Sequence, residues 1–281
     1  MTVERIRQFS RITHKGEGKE EQVADQIAVE EPLEIRLSQD PLAVIMRTPG
    51  NDIELTVGLL IAEEIIHSSD DIGTIAHCRD GDDPELENVV NVVLTDECKK
   101  RVEAEDSPNK MRRTFLTSSS CGVCGKRSID TLHASSLPFA EYAELKLDEI
   151  LQFPDAMKKG QSVFDATGGI HAAAVFNASG ELLILREDIG RHNAVDKCVG
   201  ALALREQLPL QNSKLMVSGR TSFEIIQKAL VARIQTVAAV SAPSSLAIEL
   251  ARESRINLCG FVRGQSLNVY AGKSVSKPKE S

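Results

Sequence analysis

Lys214-Leu-Met-Val-Ser218 and Val237-Ala-Ala-Val-Ser241 are the two runs of sequence that decide the fold. Each run is short and almost wholly apolar, which is typical of a central strand buried on both faces of a sheet. Helical patterns follow them at 222–233 and 244–254, and another helix is predicted at 191–206. Because strands alternate with helices, the sequence predicts an α/β domain.

Further strands flank this central pair. His171–Phe176 and 182–186 predict a hairpin that turns at 177–180. Residues 256–262 predict another strand, and 268–270 predict a short last one. These strands would widen the sheet on both sides of the central pair.

The first half of the chain has a different pattern. Residues 33–37 and 42–46 predict two paired strands, and residues 88–94 predict a third. A helix is expected to begin at Asp52 and to run to about residue 67, with its apolar residues on one face. This half is therefore predicted to be a small α+β unit.

The predicted organisation has five parts, which make the chain α/β in its second half and α+β overall. They are a flexible N-terminal arm at 1–22, the α+β unit at 23–107, a mobile connection at 108–125, the α/β domain at 126–272 and a disordered tail at 273–281.

Composition excludes several classes of function. The chain has 281 residues, no tryptophan, 4% aromatic residues and a net charge of −8, which argues against nucleic-acid binding by stacking or by a broad basic surface. No apolar run approaches the roughly 20 residues that span a bilayer, so no membrane association is expected. The polar N-terminus lacks a signal core, and we expect a cytoplasmic protein with reduced thiols.

Polar residues collect at three junctions between a strand and a helix, at 187–193, 218–224 and 241–245. Ligands of open α/β sheets bind at the carboxyl ends of the strands, and helix starts attract anions. Arg191 and Arg220 add cations that suit phosphate, and His192 beside Arg191 is a candidate ligand contact. The alternative, that these junctions are ordinary caps and turns, stays open at this stage.

A pair of thiols lies in the segment 117–126, where Cys121 and Cys124 are surrounded by serine, glycine and basic residues. Nearby cations favour the thiolate, and small neighbours leave a sulfur accessible. We interpret the segment as a reactive thiol loop. The same spacing also suits half of a zinc site or a pair that is merely accessible.

Zinc chemistry is not expected. A structural zinc site usually needs two such pairs, and the second is missing. Zinc deaminases place a glutamate two residues after a histidine, but Ala173 occupies that position after His171. We therefore predict a protein without zinc and without deaminase activity.

Together the motifs resemble the FdhD/NarQ family of sulfur carriers, from about Glu30 to Tyr270. The stretches that carry the resemblance are 121–125, 168–173, 187–197, 218–224 and 260–264.

The resemblance implies a function and a fold. Family members take sulfur from a cysteine desulfurase as a cysteine persulfide and pass it to the molybdenum cofactor, in its bis-molybdopterin guanine dinucleotide form, for formate dehydrogenase. Cys121 would carry the persulfide and Cys124 would assist or resolve it. The second half would be a three-layer α/β domain like that of the cytidine deaminases, and the protein a homodimer.

The resemblance also places the cofactor-binding segment at 261–266. Many members have arginine where this chain has Ser266, which puts the contact at that position in doubt. GDP should bind as a mimic of part of the cofactor, and the expected contacts join this segment to the junction residues. They are Phe261, Val262, Arg263, Gly264, Gln265, Ser266, Arg191, His192 and Arg220.

Two other functions remain open on the sequence. A thiol–disulfide oxidoreductase would use Cys121 and Cys124 differently, forming a disulfide rather than a persulfide. A non-catalytic, cofactor-binding chaperone of formate dehydrogenase would not need either thiol.

Overall fold

The computed structural model describes residues 4–15, 19–78, 88–104 and 136–273. The predicted mobile connection at 108–125, which contains Cys121 and Cys124, lies outside these residues. So do residues 126–135 and most of the predicted tail, 274–281.

The chain begins with an antiparallel hairpin where a flexible arm was predicted. Strands β1 (Ile6–Lys15) and β2 (Lys19–Ala28) pair along their whole lengths, with Arg11 and Asp25 3.3 Å apart across the ladder. The backbone N–H of Val29 donates to Arg5 and closes the base of the hairpin. The arm prediction was wrong because backbone pairing holds this polar segment, in which Phe9 and Ile12 remain exposed.

A four-stranded sheet follows, with strand order β4-β3-β6-β5. The predicted strands and the predicted helix are confirmed, but the helix ends at Ala62 because the backbone of Glu64 turns left-handed at φ 57°. Strand β5 and helix α2 were not predicted. The elements are β3 (Glu31–Leu37), β4 (Asp40–Arg47), α1 (Asp52–Ala62), β5 (Ile72–His77), β6 (Val89–Leu94) and α2 (Asp96–Ala104).

The second half contains a six-stranded sheet with strand order β12-β11-β10-β9-β7-β8. The two apolar runs form β9 and β10, which lie at the centre of the sheet as predicted, and β9, β10 and β11 are parallel. The strands are β7 (His171–Phe176), β8 (Leu182–Asp188), β9 (Lys214–Val217), β10 (Thr236–Ala239), β11 (Asn257–Arg263) and β12 (Ser266–Ala271).

Helices cover both faces of this sheet. Successive residues of β7 point into different cores: Ala173 packs with the core that contains α6 to α8, and Ala174 packs with Phe153 of α4. The predicted three-layer arrangement is confirmed, whereas the likeness to the cytidine-deaminase fold stays a prediction. The helices are α3 (Leu147–Ile150), α4 (Phe153–Lys158), α5 (Ser162–Thr167), α6 (Arg191–Ala203), α7 (Phe223–Val231) and α8 (Ser245–Glu253).

Helices α1 and α6 join the two halves at a close crossing. A Cβ on Gly58 of α1 would lie 1.9 Å from the carbonyl oxygen of Asp196 in α6, and one on Gly200 would lie 1.8 Å from that of Glu54. Only glycine permits this approach. One continuous hydrophobic core therefore contains Leu33 of β3 and Val199 of α6, so the first half is not an independently packed unit.

Across the part of the chain that the structure describes, no helix has the length and apolar character needed to cross a membrane.

The close crossing predicts that a larger residue at Gly58 lowers the free energy of unfolding. Helix propensity alone would make Gly58→Ala stabilising by about 1 kcal/mol. The clash is with backbone, which cannot rotate away, so we expect Gly58→Ala to lower the free energy of unfolding by at least about 2 kcal/mol. Denaturant unfolding measures this. The control is Gly169→Ala, whose Cβ would be 3.8 Å from its nearest neighbour; equal midpoints for the two variants would contradict the crossing.

Candidate functional site

The predicted junctions lie on the side of the six-stranded sheet where strands β8 to β11 end, which we call the strand-end edge. Strand β7 is antiparallel to both β8 and β9, so β8 and β9 end at the edge where β7 begins with His171. The parallel strands β10 and β11 end there too. Helices α6, α7 and α8 all begin just after these strand ends, which directs their free backbone N–H groups to the same side.

Contacts between neighbouring junctions place them in a row. A Cβ on Gly219 would lie 3.6 Å from Cδ of Arg191. Thr221 bridges to Pro243, and the backbone N–H of Phe261 donates to the carbonyl of Ser241 at 3.2 Å. The structure therefore brings Arg191, the Arg220 segment and the start of 261–266 to one edge. Closure of their side chains around a single cleft stays a prediction.

His192 contacts two side chains at the start of α7. Its Nε2 lies 2.8 Å from Oγ of Ser222 and 3.1 Å from Oε2 of Glu224. In a Ser-His-Asp triad the two partners occupy opposite ring nitrogens, but here both meet Nε2. This arrangement positions the imidazole between α6 and α7 and does not form a proton relay.

The surroundings keep His192 neutral. Burial, followed by the nearby cations Lys228 and Arg191, lowers the pKa of His192 to about 3. Burial is also the main cause that raises the pKa of Glu224. Lys228 forms a buried ion pair with Asp196 at 2.7 Å and thereby ties α7 to α6 behind the histidine.

Thr221 and Glu224 have the sequence spacing of a capping box, but the start of α7 does not form one. The helix begins one residue later, at Phe223, with Ser222 as its N-cap residue and no capping hydrogen bond from its side chain. The Ser222 hydroxyl contacts His192 instead. The hydroxyl of Thr221 is therefore buried and has no partner among the described residues.

Two further groups at this edge have unused hydrogen-bonding capacity. Nε of Arg191 is buried without a partner among the described residues, and the guanidinium of Arg220 is exposed. His171 lies against Gly219, and burial together with Arg191 lowers its pKa. Cations, neutral imidazoles and free hydroxyl or N–H donors suit an anionic ligand with several oxygen atoms.

The segment 261–266 forms an irregular end to β11. Phe261 has a left-handed backbone at φ 53°, which is a strained conformation for a side chain of this size, and Gly264 turns the chain at φ 57°. The register between β11 and β12 shifts between Gly260 and Arg263. Arg263 lies 5.6 Å from the ring centre of Phe261, and both Arg263 and Ser266 are exposed. Such bulges redirect side chains near sites.

Sequence reasoning missed the structural role of the acidic residues at 187–188. Glu187 accepts the backbone N–H groups of Val163 and Phe164 at 3.1 and 2.8 Å, which caps α5. Asp188 is fully buried and pairs with buried Lys197 at 2.6 Å. Their charges are used inside the protein, so they are unavailable to a ligand. The spacing offered no signal for this, because a polar junction motif fits both uses.

The comparisons identify the family. The sequence model of the FdhD/NarQ family matches residues 28–276, nearly the whole chain. The chain belongs to the FdhD/NarQ family. It is 46% identical over 251 residues to the protein named Sulfur carrier protein FdhD of Streptomyces coelicolor, covering 88% of each chain. It is 43% identical to the protein of the same name in Sulfolobus acidocaldarius, covering 88% of this chain and 89% of the other.

A solved structure shares the fold. It is the crystal structure of a candidate formate dehydrogenase accessory protein from Desulfotalea psychrophila, with a TM-score of 0.73 and 22% identity. The match covers 96% of this chain and 98% of that one. The predicted fold class, mixed α/β and α+β overall, is thus confirmed for this FdhD/NarQ family member.

The described residues contain four cysteines, none of which belongs to the predicted thiol pair. Cys98, Cys198 and Cys259 are buried, and burial raises their pKa values to about 11, 12 and 12. Thiols with such pKa values hardly ionise near neutrality and react poorly. Reactive sulfur chemistry is therefore left to Cys78, which is half-buried, and to Cys121 and Cys124, which lie outside the described residues.

Metal ligands do not converge within the ranges that the structure covers. No group of three or more His, Cys, Asp or Glu side chains there could hold an ion. The expectation of a zinc-free protein stays a prediction, since it concerns Cys121 and Cys124 themselves.

A cavity of about 390 Å³ lies away from the predicted site. Residues 141–145 and Val269 line it, and Asn257, the first residue of β11, donates to the carbonyl of Ala143 nearby. The cavity is thus at the opposite edge of the sheet and contains none of the predicted contacts. An elongated polyanion at the strand-end edge would bind along a row of junctions, which needs no deep cavity.

The low pKa of His192 predicts that the folded protein does not protonate this imidazole between pH 8 and pH 5. Its imidazole signal in NMR, assigned by its loss in His192→Gln, should stay constant from pH 8 to pH 5. Below pH 6.5 the unfolded chain takes up a proton that the folded imidazole does not bind. The contribution of His192 to stability should therefore fall by about 2 kcal/mol from pH 7 to pH 5. A midpoint near pH 6.5 would show that the imidazole is solvated.

Proposed function

We propose that this chain is a sulfur carrier that serves formate dehydrogenase. The observation that carries the proposal is a row of cationic helix starts at one sheet edge, in a chain about 46% identical to a protein named Sulfur carrier protein FdhD. The sulfur would travel on Cys121, accepted from a cysteine desulfurase. The acceptor would be the molybdenum cofactor in its bis-molybdopterin guanine dinucleotide form.

The loading step balances without an external oxidant or reductant. The Cys121 thiolate attacks the outer sulfur of the desulfurase persulfide. The S–S bond of that persulfide breaks, the desulfurase cysteine leaves as a thiolate, and Cys121 now carries the outer sulfur. Basic neighbours such as Lys126 and Arg127 favour the thiolate that this attack needs.

The delivery step gives Cys124 a role. Release of the outer sulfur as sulfide requires two electrons. The Cys124 thiol supplies them by attacking Cys121, which forms the Cys121–Cys124 disulfide and frees sulfide for the molybdenum substrate. A cellular thiol reductant then restores both thiols. This assignment makes sulfur transfer and disulfide formation successive steps of one cycle.

The strand-end edge would bind the pterin dinucleotide substrate. Its phosphates suit the starts of α6, α7 and α8, the exposed Arg220 and the unpartnered Nε of Arg191. Phe261 and the exposed residues 263–266 offer an apolar surface and polar groups beside the phosphates. Gln265 and Ser266 supply uncharged hydrogen-bonding groups there.

The number of residues between Cys124 and the described structure would allow the thiols to reach this edge. The described structure resumes at Ser136, whose hydroxyl donates to Oε1 of Glu64 at 3.2 Å. The neighbouring residue, Glu63, is close enough to Glu224 and Lys228 to influence their pKa values. Cys124 is 136 − 124 = 12 residues from Ser136. That length spans up to about 40 Å when extended.

The thiol assignment predicts the effect of three cysteine substitutions. Cys121→Ala should abolish both persulfide loading and formate dehydrogenase activation. Cys124→Ala should still load sulfur and should deliver it more slowly, because the resolving thiol is missing. Cys78→Ala is the matched control, since Cys78 is half-buried, and should behave as wild type. Intact-protein mass spectrometry after incubation with desulfurase and cysteine measures the loading.

Two outcomes would favour the alternatives. Because the proposed cycle itself ends in a disulfide, Cys124→Ala separates the two functions: a Cys124→Ala protein that gains no sulfur in this assay would favour a thiol–disulfide oxidoreductase. Full activation of formate dehydrogenase by the variant that lacks both Cys121 and Cys124 would instead identify a non-catalytic chaperone.

The edge assignment predicts a loss of nucleotide affinity in Arg220→Ala. A charge-assisted arginine–phosphate contact is worth roughly 1.5–3 kcal/mol, so GDP affinity should fall roughly 10- to 100-fold. Calorimetry at two salt concentrations measures this, and higher salt should weaken wild-type binding. Arg205→Ala removes an equally exposed arginine just beyond α6, at the opposite end of that helix, and should change nothing.

Persulfide loading on Cys121 should be unaffected in Arg220→Ala, because that step needs only the thiol and the desulfurase. GDP binding of wild-type strength in a folded Arg220→Ala protein would mean that Arg220 does not contact the phosphates.

A further inference from the structure

Thr48 is a buried residue in the first half of the chain. It does not bond Arg191 or His192 itself, but it bonds residues of the second half that lie next to them in sequence. It follows β4 and is fully buried, and all three of its backbone and side-chain polar groups bond residues 188–197. Its N–H donates to Oδ2 of Asp188 at 3.2 Å, and its carbonyl accepts from Nζ of Lys197 at 2.8 Å. Its Oγ1 accepts the backbone N–H of Ile189 at 3.1 Å.

These bonds fix the turn that leads into α6. Ile189 and Gly190 form that turn, and the N–H of Gly190 donates to Oδ1 of Asp188 at 2.8 Å. The same oxygen accepts from the side chain of Asn193, which also donates to the carbonyl of Met46 in β4. The turn is therefore held from the side of β4 as well as from its own strand.

Arg191 and His192 follow this turn directly and take their direction from it. On the side that faces α7, Arg191 lies against Gly219, and His192 contacts Ser222 and Glu224. Nε of Arg191 has no protein partner in the described ranges, so its direction depends on the backbone that precedes it. A shift of the Ile189–Gly190 turn would move the cation relative to the start of α7.

We propose that Thr48 is a positioning residue for Arg191 and His192, and that the first half of the chain thereby completes the site on the second half. This inference rests on the proposed function for its ligand, an anionic nucleotide at the strand-end edge. The hydroxyl of Thr48 is the group that acts, because it is the only one of the three that a substitution can remove without altering the backbone or burying an unpaired charge.

The test compares Thr48→Val with Thr48→Ser. Valine keeps the shape of threonine but cannot accept the Ile189 N–H, whereas serine keeps the hydroxyl. One hydrogen bond corresponds to roughly a three- to tenfold change in affinity. We expect Thr48→Val to weaken GDP binding by that factor, and Thr48→Ser to restore it to within about twofold of wild type.

Thr56→Val is the matched control. Thr56 is also fully buried, and its hydroxyl donates to the carbonyl of Asp52 within α1, away from the turn. Amide hydrogen exchange supplies a second readout that does not depend on the ligand. The amides of residues 189–192 should exchange faster in Thr48→Val and at the wild-type rate in Thr56→Val, at a temperature where circular dichroism shows both variants folded.

Each outcome decides something. Equal weakening of GDP binding in Thr48→Val and Thr56→Val would overturn the proposal, because it would indicate general loosening. Wild-type affinity in Thr48→Val would overturn it as well. If the wild-type protein does not bind GDP, the proposed nucleotide site is wrong. In that case the amide hydrogen-exchange rates of residues 189–192 test the positioning role by themselves, and unchanged rates in Thr48→Val would reject it.

Discussion

Helices α1 and α6 cross so closely that a backbone carbonyl of each fills the place where the other would have a Cβ. Gly58 and Gly200 make this approach possible, and no rotamer change could relieve the clash that a larger residue would cause. The rest of the structure depends on this contact. It joins the two halves around one core and fixes α6, the helix whose first residues are Arg191 and His192.

Ion pairs around the crossing make its geometry specific. Arg186 of β8 holds Glu54 of α1 through two hydrogen bonds of 2.6 and 2.8 Å, and Asp188 and Lys197 pair in full burial nearby. Paired charges in a core contribute little net stability, because desolvation offsets most of their attraction. Their effect is to disfavour other arrangements, since any shift would leave a buried charge without its partner. Several buried contacts thus hold the junction at the start of α6.

An edge whose junctions are held by buried contacts suits the proposed function. A substrate that carries several phosphates needs cations and helix starts at fixed separations, and preorganised groups lose less entropy on binding. The sheet sets those separations, because β9, β10 and β11 run parallel and their following helices begin at one side. Burial in the cores on the two faces of the sheet raises the pKa values of Cys198 and Cys259, which keeps these thiols protonated near neutrality.

The sequence alone determined the alternation of strands and helices, the central position of the two apolar runs and the collection of polar residues at strand ends. Those features follow from local burial, which leaves a period in the sequence. It also pointed to Cys121 and Cys124, because thiol chemistry depends on the residue type and its near neighbours. Only the tertiary structure decided that the N-terminal segment is a hairpin and that Asp188 pairs with Lys197 inside the core. The same holds for the hydrogen bond between Thr48 and the turn before Arg191. Thr48 and Asp188 are 140 residues apart, and a single pattern along the chain cannot report a contact that exists only because two halves fold against each other.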